Sequence, residues 1–342
     1  MKRLNRIVLV AVLCALVAAG IACKGKNPVI PLQGINDPDA LFMVYIMGVP
    51  MLRSDFAGTG RFDLSVIGLT FNENVFWGTS ANSTMSVYCS TGTYTPVIEA
   101  INQRVPSLSQ IAVQIVFDGS GSMSGSDPSY VRREAGRIFI RKLAQRNLAH
   151  RVAVAEFAGN TGDYYFNLWR DFTAVSDSLP LFAAFDSLDN DGLTPLYTAT
   201  RRGIQHIDSA VSAAQFNRTV ISFTDGWEND SYAADSLGAV AALAQARGIP
   251  VFVVGLGPVD VASMIRLASY SGGVFASASV ANDLKGIFAV IAASLTQGYN
   301  VYTCTVRDAQ GNPPPSGTNL RFTVRIKDGD ILKAKDVWFQ IP

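Results

Sequence analysis

Four nearly unbroken apolar runs organise the middle of the chain: IAVQIVF (111–117), RVAVAEF (151–157), RTVISFT (218–224) and IPVFVVGL (249–256). Runs of this length, without alternation, are expected of strands covered on both faces. Helical patterns separate them. Asp127-Pro128 is a cap and first-turn signal for a helix to about Leu148, with Val131, Ala135, Ile138 and Phe139 on one stripe. Further helices are expected over roughly 195–214, 232–247, 260–270 and 280–297. Tyr165 to Phe172 follows RVAVAEF across Gly159-Asn160-Thr161-Gly162-Asp163 and reads as an antiparallel hairpin partner at the sheet edge. The segment 111–297 is thus expected to be a doubly wound, Rossmann-like α/β domain with one antiparallel edge strand.

On both sides of this segment the pattern becomes strict alternation. Phe62, Leu64 and Val66 alternate with polar neighbours, as do Met85, Val87 and Cys89. After Gly298 the same holds for Tyr302, Cys304 and Val306, then Leu320, Phe322, Val324 and Ile326, then Val337, Phe339 and Ile341. Residues 37–110 and 298–342 are expected to form two parts of one β-sandwich, with the α/β domain inserted between them. Asp37 to Gly60 is largely apolar and ambiguous, and receives no assignment. Cys89 and Cys304 each share a face with apolar residues. A disulfide between them would staple the sandwich, with a contribution on the order of 5 kcal/mol from closing so long a loop; two inert buried thiols are the alternative.

Composition narrows the functional classes. The chain has 342 residues, 49% hydrophobic and 16% charged, enough for a sizeable core. Formal net charge is +1 and no basic stripe is visible, which argues against nucleic-acid binding. The two histidines, His150 and His206, are isolated, and no CxxC, GxSxG or phosphate-loop motif is present. These features disfavour zinc, redox, serine-hydrolase and nucleotide chemistry, and the chain is expected not to be an enzyme.

The N-terminus carries Lys2, Arg3 and Arg6 before an apolar run from Ile7 to Ala22. That run is short for a membrane span of about 20 residues and reads as a targeting segment over 1–22. Its end, Gly20-Ile21-Ala22-Cys23, resembles a bacterial lipoprotein signal. The resemblance implies acylation of Cys23 and a tether over 23–36. Lys24, in place of Asp, implies outer-membrane sorting within the cell envelope. Plain secretion and a membrane anchor are the other readings of such a run. In an exported chain, disulfides persist.

The candidate chemistry lies where apolar strands end. IAVQIVF runs into Asp118-Gly119-Ser120-Gly121-Ser122, one carboxylate and two hydroxyls spaced by glycines. Thr194 sits in the Asp191-Gly192-Leu193-Thr194-Pro195 turn that opens a helix, and Asp225 follows RTVISFT directly. In an open α/β sheet these loops share one edge, near the topological switch point. Hard oxygen donors of this kind suit Mg²⁺, Mn²⁺ or Ca²⁺. Ser187, Asp189 and Asp191 begin an EF-hand-like spacing, but Thr198 stands where the closing Glu belongs, so an Asp-rich loop is the plainer reading.

The set Asp118, Ser120, Ser122, Thr194 and Asp225 resembles the metal-ion-dependent adhesion site of the von Willebrand factor A family, over about 111–297. The resemblance implies that Ser120, Ser122 and Thr194 bind the metal through hydroxyls, with Asp118 and Asp225 acting through waters and hydrogen bonds. It also implies an open coordination position that accepts an Asp or Glu carboxylate from a partner protein. Tyr130, Tyr197, Trp227 and Glu228 are candidates for partner contact, although a Trp that packs its own loop explains Trp227 as well. The function expected is metal-dependent protein binding or adhesion; a structural or assembly subunit of an envelope complex, with a structural metal, is the alternative.

Overall fold

The computed structural model describes residues 37, 39–159 and 165–341, with the side chain of Val49 excepted. The targeting segment, Cys23 and the tether to residue 36 lie outside the described residues. Among the described residues no helix is long and apolar enough to cross a membrane.

The apolar runs form the centre of a six-stranded sheet. Its strands are β6 (Ile111–Asp118), β7 (Arg151–Phe157), β8 (Asn167–Ala174), β9 (Asn217–Thr224), β10 (Val251–Leu256) and β11 (Phe275–Ala278), in the order β11-β10-β9-β6-β7-β8. All neighbours are parallel except β8, which pairs antiparallel with β7. The chain builds outward from β6 to β7 and β8, then returns to the other side with β9. The order therefore reverses between β6 and β9, and the loops after these two strands open onto one crevice.

Helices cover both faces, which is why the central runs are apolar without alternation. On one face lie α3 (Val131–Arg146), α4 (Ser178–Asp186) and α8 (Asp283–Gln297). Phe139, Phe185 and Phe288 of these helices pack around Phe117 of β6, the last two with ring centroids 5.9 Å from it. On the other face lie α5 (Leu196–Ala210), α6 (Leu237–Arg247) and α7 (Val261–Ser271), with Ile204, Ile207, Val240 and Leu267 over Val116, Val220 and Val253. The short helix α2 (Met123–Ser126) follows the Asp118 loop. The helix expected from Asp127 begins at Val131, although Asp127 still serves its start: its carboxylate accepts the Val131 and Arg132 N–H groups at 2.6 and 3.1 Å. Helix α4 carries no sequence expectation, with Pro180 in its first turn.

Both flanks build one sandwich, as the alternation implies. One sheet holds β1 (Leu41–Leu52), β2 (Arg61–Thr70), β12 (Tyr299–Arg307) and β5 (Thr95–Arg104) in that order, with β3 (Val75–Phe76) on β2; the other holds β14 (Ile331–Gln340), β13 (Asn319–Asp328) and β4 (Ser83–Tyr88). Helix α1 (Phe56–Thr59) joins β1 to β2. The inward residues of both sheets share one core, with Phe62 and Phe322 at 4.8 Å. Strand β1 also reaches the α/β domain. Val44 faces the sandwich core while Met47 belongs to the α/β core. Double coverage is why its sequence is apolar without period. Helix α8 passes into β12 through Gly298 at φ 101°, where a Cβ would strike the Arg104 carbonyl.

The expected staple is absent, which corrects the disulfide reading: Cys89 and Cys304 are free thiols. Cys304 points into the core from β12, and burial pushes its thiol up to about 12. Cys89 lies past the end of β4, half-buried at the margin of the sandwich core, with its sulfur 3.3 Å from the Thr91 hydroxyl.

Candidate metal centre

Asp118 is the last residue of β6 and is fully buried. Its Oδ1 accepts the Ser120 N–H at 2.7 Å, which curls the loop back on the strand end, and its Oδ2 accepts the Thr224 hydroxyl at 2.5 Å, which ties β6 to β9 across the switch point. Ser120 Oγ and Ser122 Oγ lie 3.0 Å apart. Ser122 donates to Asp225 Oδ1 at 2.7 Å, and Ser126 of α2 donates to Asp225 Oδ2. Thr194 precedes α5 and is buried; its N–H goes to Asn229 Oδ1 at 2.8 Å. A Cβ placed on Gly226 would meet Thr194 Oγ1 at 3.3 Å and Ser122 Oγ at 3.6 Å, so these hydroxyls face one another beneath the Asp225–Gly226 peptide. All five residues singled out in the sequence converge at the crevice.

Loop-to-loop hydrogen bonds hold the convergence. Gly119 N–H donates to Phe157 O at 2.8 Å, Gly121 N–H to Gly192 O at 3.0 Å, Asp191 N–H to Gly119 O at 2.6 Å, and Gly159 N–H to Leu193 O at 2.8 Å. Gly192 has φ 79°, and a Cβ there would run into the Gly159 carbonyl.

The donor set fits a hard divalent cation. Two carboxylates lie at or near full burial in one crevice, and among the described residues neither forms an ion pair. Burial first, and the charge of Asp225 in addition, push Asp118 up to about 6. Buried charge of one sign is costly until a counter-charge arrives. Ser120, Ser122 and Thr194 would supply neutral oxygen ligands. The ion would supply an electrophilic position that a carboxylate can fill.

At the rim, Glu228 is half-buried. Its carboxylate accepts the Tyr197, Asp230 and Ser231 N–H groups and the Ser231 hydroxyl at 2.7–2.9 Å, so it organises the loop. Tyr130 and Tyr197 are half-buried; Tyr130 lies under the Arg133 guanidinium at 3.8 Å from its ring centre. Trp227 remains open, 63% exposed, with its indole N–H on Pro258 O at 3.2 Å. The Asp189–Asp191 segment is a loop whose backbone is bonded to Glu156, Arg132 and Gly119, not a calcium hand. Ser126 escaped sequence reading, yet it continues the alternating hydroxyls Ser120, Ser122 and Ser124.

The fold is that of a doubly wound α/β domain whose switch-point crevice gathers five oxygen-bearing side chains. Residues 113–290, just over half the chain, match the von Willebrand factor type A domain, and the chain belongs to that family. Among solved structures, a von Willebrand factor type A protein from Catenulispora acidiphila is 14% identical, with TM-score 0.49, over 76% of this chain and 72% of that one. The pilus adhesin SpaC from Lactobacillus rhamnosus GG is 11% identical, with TM-score 0.46, over 87% of this chain and 48% of that one. Proximal thread matrix protein 1 from the mussel byssus, with a zinc-occupied MIDAS motif, is 18% identical, with TM-score 0.44, over 61% and 50%. The chain thus spans about half the length of the last two. No curated protein matches the sequence significantly.

Proposed function

We propose that the chain is a metal-dependent protein-binding module of a bacterial cell-envelope lipoprotein, which captures an Asp or Glu carboxylate of a partner at a Mg²⁺ site. The observation that carries this reading is the meeting of Asp118, Ser120, Ser122, Thr194 and Asp225 at the switch-point crevice. Ser120, Ser122 and Thr194 would hold the ion. Asp118 would orient the loop through the Ser120 N–H, and Asp225 would align Ser122. Trp227, fixed at the rim and open to solvent, is the most exposed candidate for partner contact, beside half-buried Tyr130, Tyr197 and Glu228. Mn²⁺ or Ca²⁺ would suit the same oxygens.

Binding without catalysis is part of the proposal. The carboxylates at the site are engaged: Asp118 by Ser120 and Thr224, Asp225 by Ser122 and Ser126. The Cys23 anchor and outer-membrane placement rest on the sequence features at residues 1–24. Pull-down from envelope extract tests the function. Partners should leave in EDTA, return with Mg²⁺, and be missing for Asp118→Ala. Retention in EDTA, with lowered thermal stability only, would favour a structural metal in an assembly subunit.

A further inference from the structure

One buried acid near the crevice belongs to none of the five positions. Glu156 is the next-to-last residue of β7, level with Phe117 of β6, and is fully buried in a strand that after Arg151 is otherwise made of Val, Ala and Phe. A carboxylate between two helix-covered faces needs a reason. Its contacts supply one. Oε1 accepts the Asp189 N–H at 2.6 Å, and Oε2 accepts the indole N–H of Trp169, on edge strand β8, at 2.9 Å. The Gly119 backbone rests directly on the carboxylate: a Cβ there would lie 2.6 Å from Oε1 and 2.8 Å from Cδ. The same Asp189 residue is gripped from its other side by buried Arg132, whose Nη2 donates to Asp189 O at 2.9 Å and to Asn190 Oδ1 at 2.5 Å.

We propose that Glu156 is the positioning residue of the metal site, clamping the Asp118–Ser122 loop against the Asp189–Thr194 loop and linking both to Trp169. Four hydroxyl and carboxylate donors come from strand ends or the loop after β6, but Thr194 comes from a loop that reaches the crevice only by its attachments. Asp189 fixes the start of that loop, and the Asp191 N–H to Gly119 O bond and the Gly121 N–H to Gly192 O bond fix its middle. Glu156 touches both sides of the seam and no metal donor. The clamp also gives Gly119 a steric purpose, because any side chain there would displace the carboxylate.

Glutamine cannot replace this acid. Each carboxylate oxygen receives an N–H, whereas an amide offers one oxygen and one NH₂, so one contact becomes donor against donor. Titration of Mg²⁺ and Mn²⁺ into the wild-type chain and Glu156→Gln, with unfolding of both in EDTA, tests the proposal. The variant should lose at least tenfold in metal affinity while its unfolding midpoint in EDTA holds or rises, because removing a buried negative charge offsets the broken contact. Affinity within twofold of wild type would overturn the clamp, as would a loss of EDTA stability that accounts for the affinity loss. Should Glu156→Gln fail to fold, the wild-type chain decides. The Trp169 indole N–H resonance, assigned by its disappearance in Trp169→Phe, should shift when Mg²⁺ is added; a resonance that stays in place overturns the link. The inference rests on the metal reading above. A wild-type chain that binds neither ion defeats that reading, whereas equal binding by wild type and Glu156→Gln defeats the clamp alone.

Discussion

Replacing Asp118 by Asn should make the metal-free domain more stable while abolishing metal binding. Burial and Asp225 lift the Asp118 pKa from 3.8 to about 6, a difference of about two units, or about 3 kcal/mol. Between about pH 4 and pH 6 the unfolded chain has released this proton and the folded chain has not. Wild-type stability in EDTA therefore falls as pH rises through that window and is lower by about 3 kcal/mol above it. Asn carries no charge to bury, but it keeps only one of the two acceptor bonds, to the Ser120 N–H or the Thr224 hydroxyl, a loss of about 1 kcal/mol. Asp118→Asn should thus be about 1 kcal/mol less stable than wild type at pH 4 and about 2 kcal/mol more stable at pH 8. Urea unfolding in EDTA across this range reads the difference, and titrations elsewhere in the chain subtract out. At a Mg²⁺ concentration near 100 times Kd the wild type should gain about 2.7 kcal/mol and the variant nothing. A wild-type-minus-variant difference that stays flat from pH 4 to pH 8 in EDTA would refute the argument that Asp118 is a buried, uncompensated charge awaiting a cation.

Further expectations follow from the same geometry. His150 is buried, accepts the Ile111 N–H at its Nδ1, and is pushed down to about 4 by burial; wild-type stability should accordingly fall as pH drops from about 6.5 to 4, by about 3 kcal/mol, and His150→Gln should flatten that part of the urea-unfolding profile. Gly119→Ala drives a methyl into Glu156 and should cost about 1–3 kcal/mol in unfolding free energy together with metal affinity; unchanged calorimetric stability and binding would contradict the close approach. Thiol titration should find Cys89 reactive in the folded chain and Cys304 reactive only after unfolding, and a non-reducing peptide map showing the two joined would contradict the structure.

The sequence carried the five oxygens plainly because each stands at the end of a recognisable element: Asp118 and Asp225 close apolar runs, and Thr194 opens a helix. The central strands were legible because helices cover both their faces and leave an unbroken apolar pattern. Other parts were hidden for physical reasons. In β1, Val44 serves one core and Met47 the other, so alternation vanishes in LFMVYIMGVPML. Glu156 looks like a single polar lapse in a strand, because its partners Trp169 and Asp189 are 13 and 33 residues away. The role of Glu228 in holding its loop to Tyr197 was not legible either, because that partner is 31 residues away. Cys89 alternates with Met85 and Val87 in sequence and packs at the edge of the same core as Cys304, but β4 stops at Tyr88 and the two thiols stay unbonded.

The central claim, that five side chains from three loops form one divalent-cation site, is tested most directly by crystals grown with Mn²⁺ and measured at the manganese absorption edge. The expected result is a single strong anomalous peak within coordination distance of Ser120 Oγ, Ser122 Oγ and Thr194 Oγ1, absent from crystals of Asp118→Ala. No peak in that crevice at millimolar Mn²⁺, or a peak held by other residues, would contradict it.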